Sequence, residues 1–218
     1  AKNTPPGIWT GQPFHFACLA ALLTLVWMIW IILGEPFPAA FWSAIAFPVV
    51  HQVFVWLTWR FEIQSSATSR AIGFQGYLVL FFLLFGGRLI SLIVLAWMDR
   101  GSLNLQSLPQ AGLTILFALP GIYAMYSVKR YFGMARAAGA DHFDPRFRDM
   151  PLVSEGIFRF TNNGMYLYAF LLFWAIAVGF NSLAALVVTA FSHIYIWVHF
   201  YATERPDMDF LYPSTRKS

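Results

Sequence analysis

The chain is written as long apolar runs separated by shorter polar breaks. Residues 14–33, 38–59, 74–98, 111–128, 165–179 and 183–201 are six stretches dominated by Leu, Ile, Val, Ala, Phe and Trp. A helix needs about 20 mostly apolar residues to cross the hydrocarbon core of a bilayer. The breaks carry helix-stopping chemistry: Gly34-Glu35-Pro36 allows only a tight antiparallel hairpin, Arg60-Phe61-Glu62 opens a Ser/Thr-rich loop, and Phe180-Asn181-Ser182 turns the last pair. Pro48 and His51 lie inside the second run, where neighbouring groups or water must satisfy the carbonyl that proline frees. The pattern predicts an all-α, polytopic membrane helix bundle of about six spans. Residues 1–128 supply its N-terminal helices, and residues 129–218 form a unit of cytoplasmic loop, last hairpin and C-terminal cap.

Composition agrees with a membrane protein. Of 218 residues 59% are hydrophobic and 19% aromatic, and only 11% are charged, against roughly 25% in soluble domains. The net charge of +4 comes from basic residues dispersed among the loops and forms no stripe that would suit nucleic acid. With six spans, every loop Lys and Arg except Arg100 falls on one face, from Lys2 and Arg60 to Arg205 and Lys217. Basic loops favour the cytoplasm, so both termini are expected there, in a bacterial inner membrane or an endoplasmic reticulum. No small-residue cleavage site follows the first run, which reads as a retained span. The single cysteine, Cys18, sits in that run and reads as a small hydrophobe.

A few polar residues stand out. Arg88 follows Gly86-Gly87 near the middle of the third run, where a cation costs about 2.5–3.5 kcal/mol to insert and must face protein or a wet cavity. At helical spacing His193, Trp197, Phe200 and Glu204 share one face, with His199 on another. Glu204 stands at the membrane boundary, where a carboxylate can take a ligand's ammonium in a charge-assisted hydrogen bond. Asn162-Asn163-Gly164 is a turn that offers backbone N–H groups at a helix start. The polar stretch 129–164 is too long for a plain linker, and its Asp141-His142 reads either as an acid/base pair or as a solvated loop. No dinucleotide fingerprint, phosphate loop, nucleophile elbow or H-E-x-x-H is present.

Three pieces in order resemble the integral-membrane methyltransferases that include phosphatidylethanolamine N-methyltransferase and isoprenylcysteine carboxyl methyltransferase. They are Tyr131-Phe132-Gly133, then Gly156-Ile157-Phe158-Arg159-Phe160 running into Asn162-Asn163-Gly164-Met165-Tyr166, then Glu204-Arg205-Pro206 with Tyr212 six residues after the proline. The chain departs from the family pattern at Gly164, which replaces a proline, at Asn162 and Asn163, where many members have Arg-His, and at Arg205, which replaces a second glutamate. The asparagine favours the phospholipid branch.

The resemblance implies S-adenosylmethionine as methyl donor and S-adenosylhomocysteine as product. Asn162, Asn163, Met165, Tyr166 and Glu204 would line the donor pocket, with Gly133 and Gly156 allowing close approach. His193, His199 and Glu204 are the candidates for a base, since a protonated amine must lose its proton before it attacks. The partners implied are membrane lipids, with a lipophilic methyl acceptor entering from the bilayer; the amine head group of phosphatidylethanolamine or its partly methylated forms comes first. Rival readings are methylation of a carboxylate or thiol on another lipophilic molecule, and a non-catalytic membrane scaffold with the same fold.

Overall fold

A computed structural model describes residues 4–151, 153–161 and 163–212. Seven helices carry the architecture: α1 Gln12–Ile32, α2 Pro38–Ser65, α3 Gly73–Met98, α4 Ser107–Ser127, α5 Leu171–Gly179, α6 Leu183–His199 and α7 Arg205–Leu211. No strand occurs among the described residues. Among the described residues five helices are long and apolar enough to cross a membrane, the fourth running on to Phe132 and the last to Leu211. The predicted fifth span, Met165–Gly179, is helical but shorter than the other five, and its first turn, Met165–Ala169, is π-helical. The all-α polytopic bundle expected from the runs is therefore observed.

The last long span is the axis of the bundle. In its most apolar window 56% of residues are buried, against 17% for α1 and 22% for α3. It packs on α1, α2, α3 and α5. Small side chains permit this: Ala177, Ala184 and Ala185 are fully buried, so backbones approach closely where lipid offers no hydrophobic drive. Phe41, Leu92, Leu95, Phe191 and Tyr195 fill the space between the helices.

One end of the bundle is closed by Asp99. Its Oδ2 accepts from Ser102 Oγ at 2.6 Å, Ser182 Oγ at 2.7 Å and Ala184 N at 2.9 Å, while Ser182 Oγ caps α6 by accepting from Ala185 N. At the other end the N-terminal segment docks on the last helix. Gln12 Nε2 donates to Thr203 Oγ1 at 3.1 Å, and the Arg60 guanidinium donates to the carbonyls of Gly7 and Thr10. Asp99, Ser182, Gln12 and Arg60 thus find protein partners at these ends, as polar groups near lipid require.

Gly11 makes that docking possible, because a Cβ there would run into the carbonyl of Ala202. Gly34 has the same positive φ of 82° with open space around it. Alanine at Gly34 therefore meets only the backbone penalty, whereas alanine at Gly11 also meets the clash. Gly11→Ala is expected to destabilise the protein by about 1–3 kcal/mol more than Gly34→Ala, read as thermal unfolding midpoints in detergent. Equal losses would mean that the N-terminus is not seated on the last helix.

Candidate active site

Each of the three motif pieces reaches into a π-helical turn, through Tyr131-Phe132, Met165-Tyr166 and Glu204. The turns are Val128–Phe132, which runs into Gly133, then Met165–Ala169, then Phe200–Glu204. In the first, Gly133 N donates to Val128 O five residues back. Such a turn inserts a residue into a helix and re-aims the side chains beyond it, and it is frequent at functional sites.

Tyr166 is where two of these turns meet. Its ring stands edge-on to Trp197 and Phe200, each with centroids 5.8 Å away. Its backbone carbonyl accepts from His193 Nε2 at 2.8 Å, and its hydroxyl donates to Glu204 Oε2. The shared face of His193, Trp197, Phe200 and Glu204 is thus real, and Tyr166 is what it faces. Two clusters 38 residues apart in the chain are joined by one hydrogen bond.

Behind Tyr166 a cavity of about 130 Å³ runs between α2, α3, α4 and α6. Met125, Met134, Met165, Phe81, Phe82 and Phe85 give it apolar walls, and Trp59, Tyr166 and His199 also line it. Deeper in, it meets His51, Gln52 and Arg88, which are 3%, 2% and 4% exposed. Arg88 Nη1 shares a hydrogen bond of 3.1 Å with His51 Nδ1. Among the described residues the side-chain atoms Arg88 Nε and Nη2, His51 Nε2, Gln52 Nε2 and His199 Nδ1, all buried, have no hydrogen-bond partner. The approach of α3 to α2 depends on Gly87, since a Cβ there would strike the ring of Phe47, one helical turn before His51.

Beside the cavity lies a buried chain of charges. Arg60 Nε sits 2.8 Å from Asp207 Oδ1, Asp207 Oδ2 lies 3.4 Å from His142 Nε2, and His142 Nδ1 is 3.0 Å from Asp141 Oδ1. Tyr212 donates to Asp141 Oδ2, and the indole of Trp59 stacks on the His142 ring with centroids 3.9 Å apart. Asp141 and His142 are therefore a buried ion pair, not a solvated loop. Burial opposes charge on both, but their mutual hydrogen bond and attraction outweigh it: Asp141 is held below the ordinary carboxylate range, and His142, which also faces Asp207, is raised to about 9.

The other expected site residues are distributed unevenly. Met165, Tyr166 and His199 line the cavity, and Glu204 is one hydrogen bond from it through Tyr166. His193 accepts from Trp174 Nε1 on Nδ1 and donates from Nε2 to Tyr166, so neither nitrogen is free and the ring holds Tyr166 in place. The N–H of Asn163 is already taken by Thr161 Oγ1 at 3.1 Å, which corrects the expectation of a free amide at that residue. Asn162 lies outside the described residues. Gly133 has a φ of 91° with open space beside it, whereas Gly156 makes its close approach to Ser127, whose Oγ accepts from Ile157 N. Gln52 and the convergence of His51 with Arg88 were not read from the sequence. Their signal was present all the same, since polar residues inside lipid-length runs must face an interior.

Fold and site together define an integral-membrane helical protein with a pocket between its helices, apolar but for a few buried polar groups, beside a tyrosine–carboxylate contact. Residues 110–215 match the family model for Phospholipid methyltransferase. The match takes in α4 as well as the last hairpin and cap. No curated protein and no solved structure gave a significant match.

The charge chain makes stability depend on pH. The protonated form of His142 is favoured in the folded state, so its contribution is complete below its ordinary value of 6.5 and is lost as pH rises through about 9. Asp141 acts in the opposite sense, its contribution being lost as pH falls below the ordinary carboxylate value. The thermal midpoint in detergent is therefore expected to drop between pH 6.5 and about 9, and His142→Gln to flatten that alkaline limb. An alkaline limb unchanged by the substitution would contradict the pairing.

Proposed function

We propose that the protein is an S-adenosylmethionine-dependent methyltransferase acting on a membrane-embedded acceptor, first the amine head group of phosphatidylethanolamine or its partly methylated forms. The single observation behind this reading is the Tyr166–Glu204 hydrogen bond beside a cavity that Tyr166 lines, within a segment that matches the phospholipid methyltransferases. Residues 129–218 act as the catalytic unit and the N-terminal helices as its wall. Both termini face the cytoplasm, in a bacterial inner membrane or an endoplasmic reticulum, so the donor comes from the cytosol and the acceptor from the lipid.

The residues present suit this donor. Glu204 is half-buried, so its carboxylate would hold an ammonium group with little competition from water. Asn162, Asn163, Met165 and Tyr166 would line the remainder, with Gly133 and Gly156 shaping the backbone around it. When bound, S-adenosylmethionine supplies a sulfonium methyl that an in-line nucleophile displaces, leaving S-adenosylhomocysteine. Such a displacement needs alignment more than a strong nucleophile, and the three π-helical turns fix the pocket walls on rigid elements. An ammonium acceptor must lose a proton first, and His199 Nδ1, buried on the cavity wall without a partner, is available to take it. Through the Tyr166 carbonyl, His193 acts as a positioning residue.

Glu204→Gln tests the placement. A hydrogen bond to a charged group contributes about 1.5–3 kcal/mol, so affinity for S-adenosylhomocysteine by calorimetry is expected to fall roughly 10- to 100-fold, with helix content by circular dichroism unchanged. Unchanged affinity would rule out Glu204 as the ammonium partner.

A further inference from the structure

We propose that the deep end of the cavity is a subsite for an anionic oxygen group on an apolar ligand, with Arg88 as its counter-ion and His51 and Gln52 as neutral donors. That this group belongs to the methyl acceptor rests on the methyl-transfer reading.

The donors decide the chemistry. A guanidinium carries five N–H donors and accepts nothing. Arg88 spends one through Nη1 on His51 Nδ1, while Nε and Nη2 are buried and unpartnered. Because His51 Nδ1 takes that hydrogen, its Nε2 bears the ring proton and is a second orphan donor. Gln52 Nε2 is a third. Among the described residues no carboxylate lies within ion-pair distance of Arg88, whose guanidinium faces the rings of Phe170 and Phe173 at 5.5 and 5.9 Å. A buried cation and orphan donors are each costly. A ligand oxygen anion relieves both at once, a neutral hydroxyl relieves only the hydrogen bonding, and an ammonium group is repelled.

Position decides the source. Arg88, His51 and Gln52 sit near the middle of α2 and α3, and Phe81, Phe82 and Phe85 line the same end. A lipophilic molecule reaches that depth more readily than a water-borne one. All three donors also precede the segment that matches the family, so they belong to the part of the chain that the family model does not cover. The pocket is thus polarised, with Arg88 at its deep end and Glu204 beside its mouth. A carboxylate, or a phosphate such as the phosphodiester of an amine-headed lipid, meets the same demand.

The test uses the full chain purified in detergent and calorimetry with matched probes: oleate against oleyl alcohol, dioleoyl phosphatidate against dioleoylglycerol, and S-adenosylhomocysteine. Wild type is expected to bind at least one anion about tenfold tighter than its neutral counterpart, as a charge-assisted contact implies. Arg88→Gln is expected to erase that preference while leaving neutral-lipid and S-adenosylhomocysteine affinities within about threefold. Equal binding of both matched pairs by wild type overturns the subsite, with no variant needed. Loss of S-adenosylhomocysteine affinity in Arg88→Gln with the lipid preference retained overturns the assignment to the acceptor. Anion preference without any S-adenosylhomocysteine binding upholds the subsite and counts against the methyl-transfer reading alone.

Discussion

The Arg60–Asp207 ion pair is the constraint from which the architecture of this end follows. Both side chains have zero exposure, and the guanidinium Nε meets the carboxylate at 2.8 Å. Removing one member of such a pair leaves an uncompensated buried charge, typically at about 3–5 kcal/mol. The remaining guanidinium nitrogens take the carbonyls of Gly7 and Thr10, and the second carboxylate oxygen faces His142. Four segments distant in sequence are locked together: the N-terminal segment, the end of α2, the short helix Ala140–Phe143 and α7. With α7 fixed, the π-helical turn before it directs Glu204, three residues ahead of Asp207, onto Tyr166.

A membrane interior turns this local clamp into a division of labour. Charges that are balanced, as in the chain Asp141–His142–Asp207–Arg60, make structure. Those left unbalanced along the cavity, Arg88 with His51 and Gln52, have no such structural account, because each orphan donor at low dielectric raises the energy of the empty pocket. Elsewhere polar side chains are absorbed: Trp30 and Trp56 donate to backbone carbonyls, and Asp99 closes the opposite end. Among the described residues, the buried side-chain atoms with neither a hydrogen bond nor an ion pair belong to His51, Gln52, Arg88 and His199, all of which line the cavity.

Much of the fold was legible because lipid imposes a length rule. The runs at 38–59 and 74–98 became α2 and α3 with Pro48 inside the first, and the turn at Phe180-Asn181-Ser182 stands where it was read. The face shared by His193, Trp197, Phe200 and Glu204 was also legible from helical spacing. What local sequence could not encode was pairing across distance. In the sequence Arg60 marks the end of a run and Asp207 carries no signal of its own, and only the packed bundle makes them partners. His193 looked available because a lone histidine in an apolar run carries no record of Trp174. The π-helical turns escaped for a related reason, since the extra residue in each turn is fixed by the contacts that the redirected side chains make.

The account stands most directly on what the pocket transfers. Purified protein would be incubated with S-adenosylmethionine carrying an isotopically heavy methyl group and vesicles containing phosphatidylethanolamine, its partly methylated forms and lipids without an amine, and the products read by mass. The account predicts heavy methyl groups on the amine-headed lipids and on none of the others. Bound donor with no heavy methyl on any lipid would contradict it.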